Sequence, residues 1–309
     1  MALYLVLFIV SLAVLVIASD WFIGAAEKIG LGFGVSPFVI GVTIIAFGTS
    51  LPELATSIAG IYNGESEVVI GNVIGSNITN ILLVLGLTAV VGKGIDLEFN
   101  VMQNDMPMLF ASAFLLYFMI QDLTVTNTEA ILLLLMLMIF LINSVKSGVD
   151  ENLEKVKVSL KTWGMLFLGG VLVYIGAKYT LINMKEIATG MGVSTYVLSV
   201  TGVALGTSLP EVVVSIAAAR RGQHAIAVGN VLGSNIFNTY AVIGIPTLLK
   251  SIEIPAETLG FGAPMMVAIT ILFGMVCISK KITRWEGMTL LVFYVFFIGQ
   301  YISQALPGQ

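Results

Sequence analysis

The sequence predicts an all-α membrane protein of ten transmembrane helices, arranged as two inverted five-helix repeats. Three observations carry this expectation. Of the 309 residues, 58% are hydrophobic and only 10% are charged, whereas a soluble domain carries about 25% charged residues; the mean hydropathy is +1.02. Apolar segments of bilayer-crossing length, roughly 17 to 25 residues each, follow one another along the chain. Finally, a passage from Val35 to Asn80 returns from Val193 to Asn238 at a constant offset of 158, with 24 of 46 paired positions identical.

Taken in order, the apolar segments are 2–27, 37–62, 67–92, 103–121, 126–146, 161–184, 194–220, 224–249, 259–279 and 284–304. No basic region precedes the first, and its apolar run continues to about Ile17, so it reads as an uncleaved span rather than a signal peptide. Turn and charge signals separate the others: Gly30 to Pro37, Asn63 to Glu67, Lys93 to Asn100, Gln121 to Asn127 and Pro255 to Gly262. The longest polar stretch, Ser147 to Lys161, carries Asp150, Glu151, Glu154, Lys155 and Lys157 and divides the segments into two groups of five. The expected units are therefore a first repeat over 1–146, a linker over 147–160 and a second repeat over 161–309.

Basic residues set the orientation, because cytoplasmic loops collect Lys and Arg. One side gathers Lys28, Lys93, Lys146, Lys155, Lys157, Lys161, Arg220, Arg221, Lys280, Lys281 and Arg284; the other has Lys178, Lys185 and Lys250. Eleven against three places the linker in the cytoplasm and both termini outside a cell membrane. With an odd number of spans per half, matching helices cross in opposite directions, an arrangement that can present one site alternately to either side.

Several function classes are excluded early. The net charge of −4 gives no case for nucleic acid, and the lone Cys277 permits neither an intramolecular disulfide nor a cysteine metal site. His224 is the only histidine, and it sits beside Arg220 and Arg221 at a cytoplasmic turn as a solvated residue. Asp150, Glu151 and Glu154 lack the spacing and glycine of a Ca2+-binding loop. Asp20, whose counterpart in the second half is Lys178, reads as an interfacial anchor. An intramembrane hydrolase using Ser50 or Ser208 would need a base, and no histidine or lysine lies at membrane depth. No cofactor and no protein partner is implied; the partner is the lipid bilayer.

The chemistry lies in the repeated passage. Each copy reads Gly-Thr-Ser-Leu-Pro-Glu, at 48–53 and at 206–211, followed by Gly-Asn-Val, a variable residue and Gly-Ser-Asn, at 71–77 and 229–235. An acid at the centre of a span costs about 2.5–3.5 kcal/mol on insertion scales, and such acids mark ion pathways. Pro52 removes a backbone donor and crowds the carbonyl of Gly48. Carbonyls near Ala46 and Phe47 are then expected to leave the helical ladder and turn toward a ligand, which bare carbonyls do only at a protein-lined cavity. Thr49, Ser50 and Glu53 fall within one helical turn, and Ala204, Thr207, Ser208 and Glu211 repeat the set. Along the next span Asn72, Ser76 and Asn80 recur every four residues, as do Asn230, Ser234 and Asn238. For Asn72 and Asn230 two readings stand, interhelical hydrogen bonding and ligation; Ser76, Asn80, Ser234 and Asn238 read as ligands. Two carboxylates with hydroxyls, amides and carbonyls, and no thiolate or imidazole, suit a hard cation, with Ca2+ and Na+ as candidates.

At these residues the chain resembles the sodium/calcium exchanger branch of the cation/Ca2+ exchanger superfamily. The resemblance implies antiport of several Na+ against one Ca2+ by alternating access, electrogenic, through a site formed by spans 2, 3, 7 and 8. The implied ligands are Ala46 (carbonyl), Thr49, Ser50, Glu53, Ser76 and Asn80, with Ala204 (carbonyl), Thr207, Ser208, Glu211, Ser234 and Asn238 from the second repeat. Spans 1 and 6 would be the long slanted pair that slides. K+-dependent relatives carry Asp where this chain has Asn238, so K+-independent exchange is expected. Proton-coupled relatives usually carry a histidine in the repeats, and none occurs here. H+/Ca2+ antiport on the same scaffold is the alternative; a cation channel, whose pore would also be polar, fits mid-membrane broken helices less well.

Overall fold

The structure, a computed structural model, describes residues 2–97, 101–148, 157–190 and 206–305. Its described helices are α1 (Ala2–Gly32), α2 (Pro37–Thr49) and α3 (Leu51–Asn63), α4 (Ser66–Val91), α5 (Val101–Met119) and α6 (Asn127–Gly148). The second half supplies α7 (Leu160–Gly190), α8 (Leu209–Arg220), α9 (His224–Leu249) and α10 (Thr258–Cys277), and α11 (Arg284–Ala305). Among the described residues α1, α4, α6, α7, α9 and α10 are long and apolar enough to cross a bilayer, and α2 with α3, bent by 40°, makes a seventh candidate. Most of the linker, including Asp150, Glu151 and Glu154, lies outside the described residues, as does the start of the segment 194–220.

Local chemistry sets the helix ends. Ser36 caps α2 through a bond from Val39 N to its hydroxyl, with Pro37 at the first helical position. Both α6 and α11 open on a reciprocal capping box. Thr126 N meets Glu129 Oε2 at 2.8 Å while Glu129 N returns to Thr126 Oγ1 at 3.4 Å. In α11, Thr283 and Glu286 repeat the exchange at 2.6 and 3.2 Å. The long pair α1 and α7 run past their apolar segments, to Gly32 and Gly190. A helix needs apolarity only where lipid surrounds it, and polar residues such as Lys28 and Glu186 continue the ladder beyond that depth.

Helices α4 and α9 form the centre. All of the most apolar stretch of α9 and 78% of that of α4 is buried, against 33% for α1 and 28% for α7. A core of Ile70, Ile78, Leu82, Val231, Ile236 and Tyr240 joins them to α5, α10 and α11. A second cluster, with Leu15, Phe22, Ile23, Val173, Ala177 and Val214, binds α1 to α7 and α8. The α1–α7 crossing is close because of Gly176, where an added Cβ would stand 2.9 Å from Leu15 Cα. Such small-residue contacts drive helix association in lipid, where the hydrophobic effect gives no preference. Thr180 Oγ1 donates to Ser11 Oγ at 3.1 Å across the same seam.

Two short antiparallel clips join the halves. β1 (Ile95–Asp96) pairs with β4 (Lys281–Ile282), and β2 (Thr124–Val125) pairs with β3 (Ile252–Glu253). The first clip is reinforced by an ion pair of Lys281 with Asp96 at 3.0 Å. His224 Nδ1 accepts from Asp96 N at 3.2 Å nearby, which gives the lone histidine a structural partner. Asp20 has an ion-pair partner, its carboxylate meeting Arg221 at 2.7 Å between α1 and the α8–α9 turn.

Candidate cation site

The backbone is irregular where the repeated passage predicts function. Wide π-type turns occupy Gly41–Ile45, Asn80–Leu85 and Asn238–Val242, and such turns recur at functional sites. Ser50 (φ −86°, ψ 5°) and Ser208 (φ −83°, ψ 5°) leave helical geometry immediately before the Leu-Pro pair. Each break therefore places a glutamate, Glu53 or Glu211, in the first turn of a new helix.

The break corrects one expectation. Ala46 keeps its helical partner, since Ser50 N donates to its carbonyl at 3.0 Å; Thr49 Oγ1 lies 3.3 Å from the same oxygen. The carbonyl that Pro52 deprives of a donor is that of Gly48, four residues earlier, so the disruption begins after Ala46. Phe47 directs its ring outward onto Phe237, at a centroid distance of 5.1 Å. Ala204 lies outside the described residues.

The remaining predicted residues come together at the centre. Thr49, Ser50, Glu53, Ser76, Asn80, Ser208, Glu211, Ser234 and Asn238 are each fully buried, and Thr207 is half-buried. The contacts cross between repeats. Ser50 Oγ donates to Glu211 Oε1 at 3.2 Å, and the Thr49 and Ser234 hydroxyls also face Glu211. Glu53 is faced by Ser76 from its own repeat and by Thr207 from the other, and the two glutamates are close enough to repel each other. Ser76 and Thr207 stand 3.3 Å apart, and their counterparts Thr49 and Ser234 stand 3.4 Å apart.

Asn72 and Asn230 each make interhelical hydrogen bonds, as the first of their two readings expects. Thr207 Oγ1 donates to Asn72 Oδ1 at 3.3 Å, and Thr49 Oγ1 donates to Asn230 Oδ1 at 3.1 Å. Their amide nitrogens donate to Ser57 at 3.1 Å and to Ser215 at 2.9 Å; Asn72 also reaches the Glu53 carbonyl at 3.0 Å. With both ends engaged, these amides hold the helices that carry the acids. Sequence reasoning passed over Asn77 and Asn235. Asn80 Nδ2 donates to Asn235 Oδ1 at 3.3 Å, and Asn77 Nδ2 donates to Thr239 Oγ1 at 3.1 Å. The available signal was their identity in both Gly-Ser-Asn copies.

Glycine spacing brings the helices this close. A Cβ at Gly233 on α9 would fall onto the Val42 carbonyl and within 2.7 Å of Ala46 Cβ, so α9 lies directly against the backbone of α2.

Several buried oxygens have no hydrogen-bond partner among the described residues: both of Glu53, Oε2 of Glu211, Oγ of Ser208, and Oδ1 of Asn80 and Asn238. A buried polar atom left unpaired is costly, and a carboxylate more so. The donor set is all oxygen, with acids from both halves, and suits a hard cation that takes 6–8 oxygen ligands. No cluster of three or more His, Cys, Asp or Glu occurs among the described residues. Among the described residues the charge at the centre is that of two glutamates, which matches one divalent ion.

The sequence model described as "Sodium/calcium exchanger protein" matches residues 3–146 and 161–301. An uncharacterized membrane protein of Methanocaldococcus jannaschii is 36% identical over 295 residues, covering 94% of this chain and 95% of its own. The sodium/calcium exchanger MaX1 of Methanosarcina acetivorans is 34% identical over 336 residues, covering 94% and 96%. Among solved structures, the sodium-calcium exchanger NCX_Mj soaked with Na+ and Ca2+ superposes with a TM-score of 0.84 at 34% identity, over 96% of this chain and 98% of that one.

Proposed function

The chain belongs to the sodium/calcium exchanger family, and from that premise we propose that it is a secondary antiporter exchanging Na+ for Ca2+ across a cell membrane. The observation that carries the reading is the pair of fully buried glutamates, one from each copy of the passage, whose carboxylates lie close together with unpaired oxygens. Ca2+ would be held by Glu53 and Glu211 with oxygens from Thr49, Ser50, Ser76, Asn80, Thr207, Ser208, Ser234 and Asn238. The carbonyls of Ala46 and Ala204 complete the proposed set, that of Ala46 through its remaining lone-pair capacity. The same oxygens would take Na+ in the return step. Replacing one Ca2+ by three or more Na+ would move net charge, so electrogenic exchange is part of the proposal.

The proposed architecture is ten spans in two inverted repeats, 1–146 and 161–309, with the linker cytoplasmic and both termini outside. Helices α1 and α7 support it: each has 31 residues, and their starts differ by the repeat offset of 158. The clips support the grouping of loops by side, since β1 and β4 draw Lys93, Lys280, Lys281 and Arg284 together while β2 and β3 gather loops that carry only Lys250. Alternating access then amounts to the two repeats exchanging conformations around the fixed glutamates.

Counterflow of 45Ca2+ in proteoliposomes tests the reading. An outward Na+ gradient is expected to drive Ca2+ uptake, with sensitivity to membrane potential and no requirement for K+ when choline replaces it. Uptake driven by a proton gradient and indifferent to Na+ would assign the scaffold to H+/Ca2+ antiport instead.

A further inference from the structure

Contacts across the molecule follow the 158-residue offset. Asn72 with Ser57 is matched by Asn230 with Ser215, and Thr207 with Asn72 is matched by Thr49 with Asn230. The seam of α1 and α7 keeps the rule. Thr180 meets Ser11 there, and the image of that contact is Phe22 against Gly169, where an added Cβ would stand 3.0 Å from the Phe22 nitrogen. The offset fails where α1 and α7 face the helices of the repeated passage. On one side α1 is joined to the α8–α9 turn, by Asp20 with Arg221 at 2.7 Å and by Gln223 Nε2 donating to Glu27 Oε2. In the same interface Ile23, Val214 and Ala217 pack in one apolar cluster. Their images are Leu181, Thr56 and Ala59, and these line a cavity of about 310 Å³ between α3 and α7 that Thr207 of the cation site also lines. One copy of the interface is shut and the other is open.

The open copy carries its own complementary groups. At the two positions where α1 has Asp20 and Glu27, α7 has Lys178 and Lys185. Opposite the acids of α1 stand one base, Arg221, and one amide, Gln223; at the matching places after α3 stand one amide, Asn63, and one acid, Glu65. The charges are inverted as a set, so each helix suits its own turn. Two of the three basic residues that the orientation places outside, Lys178 and Lys185, are thereby given a role. No ion pair joins Lys185 to Glu65 in this conformation among the described residues. We propose that Lys185 with Glu65, and Lys178 with Asn63, form a second latch that closes as the Asp20–Arg221 latch opens, so that the two latches set which face of the membrane the cation site meets. The inference rests on the proposed exchange of conformations between the repeats.

The test uses two cysteine reporters in the full-length protein carrying Cys277→Ser: Ala59→Cys in the cavity, and its image Ala217→Cys in the closed interface. Labelling rates with a membrane-impermeant maleimide are read in right-side-out and inside-out vesicles. Lys185→Glu sets two acids against each other and is expected to slow labelling of the Ala217→Cys reporter by about 1.5- to 5-fold, the range for an exposed ion pair. Glu65→Lys alone should do the same, and the two substitutions together should restore the original rate. Asp20→Asn should act in the opposite sense, speeding the Ala217→Cys reporter and slowing the Ala59→Cys reporter. No response to Lys185→Glu and Glu65→Lys, or responses that simply add when the two are combined, would overturn the second latch. Na+-driven 45Ca2+ flux through the otherwise unmodified protein is measured alongside. Flux without the latch response would sink the latch and keep the exchange reading; the latch response without flux would sink the exchange reading and keep the latch.

Discussion

Two residues decide whether the centre of this molecule is a site or a defect. Glu53 and Glu211 are wholly buried, and each has at least one carboxylate oxygen without a partner. An isosteric amide keeps the shape and removes the charge. Glu53→Gln and Glu211→Gln are each expected to reduce Na+-driven 45Ca2+ flux by at least a hundredfold while the melting temperature in detergent stays level or rises, since the repulsion between the acids is relieved. Flux within a few-fold of the unmodified rate would remove the glutamates from the site. Protons and cations compete for the same carboxylate oxygens, and ligands must be deprotonated to bind. Half-saturating Ca2+ should therefore rise as pH falls from 8 toward 5, and a flat profile at sub-saturating Ca2+ would count against carboxylate ligation. These acids were legible from sequence, because a carboxylate repeated inside two apolar spans is too costly there to persist without a charge to offset it. The amide network was less legible. Asn72, Asn77, Asn230 and Asn235 share one residue type and one helix pair, and their hydrogen-bond partners on other helices have no mark in the sequence.

At the scale of elements, the repeated passage combines a break with a close approach. Pro52 and Pro210 start new helices, while Gly233 lets α9 lie on the backbone of α2. The prolines announce the breaks in the sequence. They do not announce the fate of the Ala46 carbonyl, because a missing donor at position 52 orphans Gly48 and leaves the bond from Ser50 to Ala46 intact. The π-type turns that begin at Asn80 and Asn238 carry no proline or other breaker to mark them in the sequence. The close approach can be tested. Gly233→Ala must push α9 from α2 and should cost about 1–3 kcal/mol, as overpacking does, visible as a lower melting temperature and reduced flux. Gly164→Ala on α7 meets nothing within 4 Å and replaces the poorer helix former, so it should leave both unchanged. Equal effects of the two substitutions would contradict close packing at Gly233.

For the whole molecule, composition and the run of apolar segments carried the all-helical membrane class, because each is an average over many positions. Contacts that depend on two distant turns meeting had no such support, and the β clips are the case in point: Ile95 with Ile282, and Val125 with Ile252, are two-residue pairings with no periodicity to betray them. They nevertheless give the orientation a sharp test. If the proposed topology holds, β4 lies on the cytoplasmic face and β3 on the outer face, although only 28 residues separate Glu253 from Lys281. Both side chains are exposed, and the only native thiol, Cys277, is buried and removable as Cys277→Ser. In that background Lys281→Cys should react with a membrane-impermeant maleimide only in inside-out vesicles, and Glu253→Cys only in right-side-out ones. Labelling of both from the same face would break the inverted arrangement, because α10 would then fail to cross. Labelling with the two faces exchanged would keep the repeats and reverse the orientation read from the basic residues.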